Sequence, residues 1–332
     1  MIFISLGGVN EHGRNCFFFQ GEKKSFLFDC GLSEKGEYPH FEKIDVSKVD
    51  YLFLSHSHLD HTGAIKELIK RGFKGIILAS KETMDCINLK YEKSVCLTPL
   101  VKLVLDDDVS VLPRRSGHCF GSLSFELSAE NKKIIYTGDY LENSIFRVDP
   151  IRDVNADFAL VDACYSKELS YEENRIELFS LLSSIKGNII LPLPKNGRSM
   201  DVISLLNDKK IPFQIKGNGF FHENGKEYLK RNVLIKEDDD ASLILMDDPQ
   251  LDKKESRDII DAYPSAHLIF TGTIDEGSYA SFLMKNRKNT CFRRINVHQS
   301  VDEAKRLISL NHFKNSVLFH NKNLSEKTKV CF

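Results

Sequence analysis

The stretch His56-Ser57-His58-Leu59-Asp60-His61 follows directly on the apolar run Tyr51-Leu52-Phe53-Leu54-Ser55 and packs four candidate metal ligands into six residues. In an extended chain, side chains two apart share a face, so His56 and His58 can grip one ion from a strand end. Asp60 and His61 then turn toward another. Neutral imidazole nitrogens with a carboxylate oxygen suit zinc and related borderline metals, whereas calcium draws mostly on oxygen. Thr62-Gly63-Ala64 follows, with Ile65, Leu68 and Ile69 at helical spacing. The local unit therefore reads as strand, ligand loop, then a helix over 62–71.

One loop cannot close two coordination spheres, so further ligands must come from other strand ends. Three positions fit. His118 lies between two apolar segments, Asp139 ends the β-like run Lys133-Ile134-Ile135-Tyr136-Thr137-Gly138, and His320 ends Ser316-Val317-Leu318-Phe319. Short apolar runs recur along the chain at 26–28, 51–54, 75–78, 134–137, 158–161, 188–191, 267–270 and 316–319. Between several of them the pattern turns helical, as at Ser300-Val301-Asp302-Glu303, a capping box ahead of the stripe Val301, Ala304, Leu307 and Ile308. Such alternation predicts a layered α/β fold.

These residues carry a family resemblance. The 56–61 stretch, Asp29 after Phe26-Leu27-Phe28, His118 and Thr137-Gly138-Asp139 resemble the successive motifs of the metallo-β-lactamase superfamily. Within it, the stretch from Gly7 to Asn15 resembles the opening of ribonuclease J, mRNA 3′-end-cleavage enzymes and other β-CASP nucleases. Val161-Asp162-Ala163-Cys164-Tyr165 resembles their acidic motif, Asn196-Gly197-Arg198-Ser199 their Gly-Arg helix start, and Val297-His298-Gln299-Ser300 their late histidine.

The resemblance implies an αββα sandwich with an inserted small α/β β-CASP cap over the metal cleft. Its expected limits are 1–166 and 285–332 for the sandwich and 167–284 for a shortened cap. The chain ends soon after His320, which by the resemblance implies that the C-terminal domain of ribonuclease J is lacking. Two zinc ions are expected, with manganese as the alternative. His56, His58 and His118 would hold the first, Asp60, His61 and His320 the second, and Asp139 would bridge them. Asp29 would orient ligand histidines. The expected catalytic residues are Asp60, His298 as the acid for the departing 3′ oxygen, and Asp162 as the group that orients it. Arg198 at a helix start and Asn296, where the family commonly has serine, are the expected phosphate contacts. The expected activity is hydrolysis of single-stranded RNA, endonucleolytic with exonuclease action open. A DNA nuclease, a small-molecule metallohydrolase and a non-catalytic binding protein are the alternatives.

Composition is compatible with all of these. The 332 residues suffice for two compact units, and 42% hydrophobic with 28% charged residues is ordinary for a globular protein. The net charge of −1 excludes a globally basic nucleic-acid binder but not a local positive groove, for which Lys285-Asn286-Arg287-Lys288 and Arg293-Arg294 form the densest segment. The acidic run Glu237-Asp238-Asp239-Asp240 reads as a solvated turn. No run is long enough to cross a bilayer and no basic-then-apolar leader opens the chain, so a cytoplasmic, membrane-free protein is expected, its oligomeric state left open. The eight cysteines include no Cys-x-x-Cys pair and are expected to be reduced and mostly buried, with Cys119 outside the metal site.

Overall fold

The computed structural model describes residues 1–166, 170–217, 225–230 and 233–332; Lys167, the expected start of the cap, lies outside them. The chain divides into two compact units. The first comprises Met1–Glu142, Arg147–Glu168 and His298–Phe332, and the second comprises Asn143–Phe146 and Leu169–Val297.

Two mixed sheets make up the first unit. The seven-stranded sheet runs in the order Lys329–Cys331, Ile2–Gly7, Cys16–Gln20, Ser25–Phe28, Tyr51–Phe53, Ile76–Ser80, Ser94–Leu97. The six-stranded sheet runs Ser316–Phe319, Phe158–Asp162, Lys132–Tyr136, Leu123–Ala129, Val109–Arg115, Leu103–Asp106. Strand alternation sorts the side chains into layers. Phe17, Phe19, Phe26 and Phe28 meet Phe125, Ile134, Tyr136, Phe158 and Phe319 in the central core. Their neighbours Cys16, Phe18 and Leu27 face outward against Ile65 and Leu68 of the helix Ile65–Lys70. On the other outer face, Ile135, Ala159, Val161 and Leu318 pack on Ala304 and Leu307 of the helix Val301–Ser309. Helix, sheet, sheet, helix is the resulting order, as the resemblance implies.

The helix expected over 62–71 is split. Leu59–Thr62 forms one short turn and Ile65–Lys70 a second, with Gly63 and Ala64 between them. The Ser300 capping box is present, its hydroxyl accepting from the Glu303 backbone while the Glu303 side chain reaches back.

The second unit is a five-stranded parallel sheet, ordered Gln214–Lys216, Leu243–Met246, Ile189–Pro192, His267–Phe270, Thr290–Phe292. Both faces are covered, as parallel sheets require. Ile189 and Leu191 pack toward Leu178, Val202 and Leu206, while Ile190 packs toward Ile260 and Leu283. The unit reaches Val297, so the expected boundary between 284 and 285 falls inside it. The reason is the strand Thr290–Phe292, which pairs with His267–Phe270 and cannot be separated from that sheet.

Two smaller expectations meet the structure differently. All eight cysteines are free, yet only Cys16, Cys30 and Cys119 are buried, and Cys96 and Cys331 are exposed. Both exposed thiols sit on edge strands, where one face meets solvent. In the basic segment, Arg287 is a structural group whose Nη2 donates to the carbonyls of Tyr263, Pro264 and Ala266. Glu237 to Asp240 are exposed, as a solvated turn should be. No helix among the described residues is long and apolar enough to cross a membrane.

Candidate metal centre

Parallel strands of the first unit deliver their ends to one edge. His56 and His58 follow Tyr51–Phe53, Asp29 follows Ser25–Phe28, Asp139 follows Lys132–Tyr136, Asp162 ends Phe158–Asp162 and His320 follows Ser316–Phe319. His118 comes from the loop between Val109–Arg115 and Leu123–Ala129. Asp60 and His61 lie in the turn Leu59–Thr62, whose first three carbonyls accept from the early loops. Leu32 N donates to Leu59 O at 3.1 Å, Asn15 N to Asp60 O at 2.9 Å and Cys30 N to His61 O at 2.7 Å. This contact needs Gly31: a Cβ there would lie 1.7 Å from the Asp60 carbonyl oxygen.

Ligand atoms converge in two groups joined by one carboxylate. His58 Nδ1 lies 3.0 Å from His56 Nε2 and 3.1 Å from His118 Nε2. Nitrogens bound to one tetrahedral zinc sit about 3.3 Å apart, given bonds of roughly 2.0–2.1 Å, so these three rings are spaced for a common ion. Asp139 Oδ2 lies 3.5 Å from His56 Nε2 and 3.4 Å from His118 Nε2. Its other oxygen, Oδ1, lies 3.2 Å from both His61 Nε2 and His320 Nδ1. Asp60 Oδ2 completes the second group, 3.5 Å from His61 Nε2 and 3.4 Å from His320 Nε2. All seven residues expected as ligands are therefore brought together.

Supporting contacts fix these side chains. Asp29, fully buried, takes His61 Nδ1 at 2.7 Å and also accepts from the Ser55 backbone and hydroxyl and from the Tyr136 hydroxyl. With Nδ1 engaged there, His61 presents Nε2 to Asp60 and Asp139. Asp29 and His320 both hold left-handed backbone, at φ 57° and 70°, a conformation that costs a non-glycine residue energy and that clusters at functional sites.

Charge follows the same plan. Burial pushes the His56 and His58 pKa values down, toward the neutral, ligand-competent form. Against the same burial, the surrounding carboxylates pull His61 and His320 well above the usual histidine range. Asp139, buried, and Asp60, half-buried, are held well below the carboxylate range by those imidazoles. Anions that draw protons onto neighbouring rings would draw a divalent cation by the same field. Asp139 Oδ1 and both ring nitrogens of His320 are buried with no hydrogen bond. Orphaned donors of this kind fit a metal.

Beside this cluster, His298 Nδ1 lies 3.3 Å from Asp162 Oδ2 and 3.6 Å from Asp139 Oδ2. Asp162 is itself fixed, accepting at Oδ2 from Tyr140 N while its backbone N donates to Thr137 Oγ1. It stays below the carboxylate range despite burial because of the His298 imidazole. Sequence reasoning missed Asn15, whose amide nitrogen lies 2.8 Å from His61 Nε2 and 3.4 Å from Asp60 Oδ2. Its position closing the 7–15 stretch was the available signal. In that stretch Glu11 binds Arg14 with both oxygens and accepts from Gly8 N, so these charges shape the loop.

Arg198 and Asn296 belong to the second unit. Arg198 Nε donates to Ile295 O at 3.0 Å, and Asn296 Oδ1 accepts from Asn174 Nδ2 at 2.8 Å. Gly197, with φ 84°, caps the helix Arg198–Asp208.

Comparison with known proteins agrees with this geometry. Residues 9–176 match the Metallo-beta-lactamase superfamily. The chain is 24% identical over 269 residues to "Endoribonuclease ysh1" of Emericella nidulans, covering 66% of this chain and 30% of that protein. It is 27% identical over 230 residues to an "RNase J-like protein" of Methanocaldococcus jannaschii, covering 61% and 53%. To a second protein of that organism, "Probable RNase MJ4", it is 26% identical over 334 residues, covering 87% and 77%. The match thus spans under a third of the first relative and about half of the second.

Proposed function

Because the chain belongs to the metallo-beta-lactamase superfamily, and its relatives carry the names of ribonucleases, we propose that it is a β-CASP nuclease that hydrolyses single-stranded RNA, with the second unit as its cap. One observation carries the reading. The two oxygens of Asp139 are shared between separate imidazole groups, with an Asp162-His298 pair alongside.

In this reading His56, His58, His118 and Asp139 hold one ion, and Asp60, His61, His320 and Asp139 hold another, zinc or manganese. Bound there, the pair supplies Lewis acidity, which lowers the pKa of water and neutralises a phosphodiester oxygen. Asp29 keeps His61 in the tautomer that offers Nε2 as a donor. His298, held through Nδ1 by Asp162, keeps Nε2 for the proton that the departing 3′ oxygen needs. Without that proton an alkoxide would have to leave. A thioesterase of the same fold, whose thiolate leaves without a proton, has no need of this acid, which favours the phosphodiester over that alternative.

The test is incubation of the metal-loaded chain with end-labelled single-stranded RNA and the matching DNA, beside an Asp60→Ala His61→Ala variant. Cleavage of RNA in preference to DNA, lost in the variant, is expected. Equal cleavage by both proteins, or preference for DNA, sinks the proposal.

A further inference from the structure

We infer that residues 72–75 and 88–93 of the first unit form a second site for single-stranded RNA, at the end of the seven-stranded sheet opposite the metal cluster. This rests on the RNA reading above and extends it to how a long strand is held. Ile76–Ser80 and Ser94–Leu97 run parallel to Tyr51–Phe53. The metal ligands leave the carboxyl end of Tyr51–Phe53, whereas these loops enter the amino ends of the two neighbouring strands. At about 3.3 Å per residue, the run from Tyr51 to His56 sets the two sites on the order of 15 Å apart or more.

A cavity of about 380 Å³ lies between the loops, lined by Phe73, Lys74, Lys90, Tyr91, Glu92 and Lys93. It is preformed. Tyr91 donates its hydroxyl to Gly75 O at 3.0 Å, and Lys93 Nζ donates to Lys74 O at 3.0 Å, so each loop is tied to the other. Below them the Phe73 and Tyr91 rings stack at 5.9 Å and 27°. Phe73 is buried, and Tyr91 is partly exposed. Lys74 and Lys90 are exposed, and neither has an acidic partner among the described residues. Glu92 is the single carboxylate in the lining. Lys70 and Arg71 adjoin but are shared with Glu67.

On a chain of net charge −1, uncommitted lysines beside an aromatic platform are a local exception to the average. That combination is what holds a single strand: cations follow the phosphates and a ring stacks on a base. The volume falls within the range of pockets that take a small ligand, enough for a base and its phosphate. An acidic peptide would use the lysines but leave the stacked rings idle, so RNA is the better occupant.

The test compares the unmodified chain with Lys74→Glu Lys90→Glu, on a trinucleotide and on an RNA long enough to reach both ends of the sheet. For the long RNA, KM rises about tenfold and the slope of log affinity against log salt falls by about 1.4, the value for two phosphate contacts on a single strand. Its kcat and trinucleotide cleavage are unchanged. Tyr91→Leu, which keeps an apolar contact with Phe73, weakens long RNA without altering the salt slope. An unchanged KM for long RNA overturns the proposal, and so does an equal loss on long and short substrates. Equally damaging is polyglutamate competing as well as RNA, with Tyr91→Leu affecting neither. Should the unmodified chain cleave no RNA at all, the functional reading fails by itself, and equilibrium binding of the same long RNA to the two proteins then decides this site.

Discussion

The two units use their strand ends differently. In the first, carboxyl ends carry buried Asp29, Asp139, Asp162, His56 and His320, with two of these in strained left-handed backbone and several donors lacking any hydrogen bond. In the second, the ends of a parallel sheet carry Arg198 bonded to a backbone carbonyl and Asn296 bonded to Asn174. Glycines mark the contrast. Gly31 lets the backbone of the ligand turn approach, whereas a Cβ at Gly272 would meet Arg198 Nη1 at 1.9 Å, so that glycine admits a side chain instead. Buried polar groups without partners are costly, and a fold retains them where a ligand will satisfy them. The first unit gathers such groups at its strand ends, on Asp139, Asp162 and His320, whereas Arg198 and Asn296 at the strand ends of the second are bonded within it.

If the contrast is right, the largest effect comes from Asp139→Asn. An amide cannot offer two anionic oxygens, so cleavage should fall by at least about a thousandfold, with bound metal dropping well below that of the parent in elemental analysis. Full metal content with near-normal cleavage would show that Asp139 does not join the two groups.

His298→Ala should come next. Removal of a general acid costs on the order of a hundredfold, with metal content intact. A nitrophenyl phosphodiester, whose leaving group needs no proton, should be cleaved almost as well by the variant as by the parent. An equal loss on both substrates would assign His298 to structure rather than proton transfer.

How much of this was legible in the sequence follows from range. His56 to His61 are local, and their chemistry could be read from six neighbouring side chains. Asp139 and His320 were reachable because each ends an apolar run, and parallel strands bring such ends to one edge. The early hairpin strands, including Ile2–Gly7 and Cys16–Gln20, escaped that reading. So did the antiparallel strands Leu103–Asp106, Val109–Arg115 and Leu123–Ala129, whose interrupted apolar pattern gave no clean run. Asn15 was missed for a related reason: its partners lie 45 and 46 residues away, and its place at the end of the 7–15 stretch marks the residue without naming them. Arg198 is the opposite case. A Gly-Arg pair at a helix start suggests a phosphate site, yet its Nε is committed to Ile295 O, a contact no local pattern encodes.

Asp29→Asn probes the support around the cluster. It leaves the ligands in place but replaces the carboxylate that receives His61 Nδ1. Metal affinity should weaken by roughly tenfold, the lower range for loss of a histidine-orienting group, as measured by competition with a chelator. Cleavage at saturating metal should recover. Failure to recover would mean that Asp29 does more than orient His61.

The smallest effect is expected from Arg198→Lys, and it bears hardest on the contrast between the units. Lysine keeps the charge but loses the planar guanidinium that donates through Nε to Ile295 O. One neutral-acceptor hydrogen bond contributes on the order of 1 kcal/mol, so thermal unfolding should shift by a few degrees. A group occupied within its own unit has little to give a substrate, so kcat/KM for RNA should change by no more than about twofold, within the range of a modest stability change. A large loss of kcat/KM at unchanged melting temperature and metal content would overturn that argument. The guanidinium would then be a substrate contact through its Nη groups, and the second unit, like the first, would bring chemistry to its strand ends.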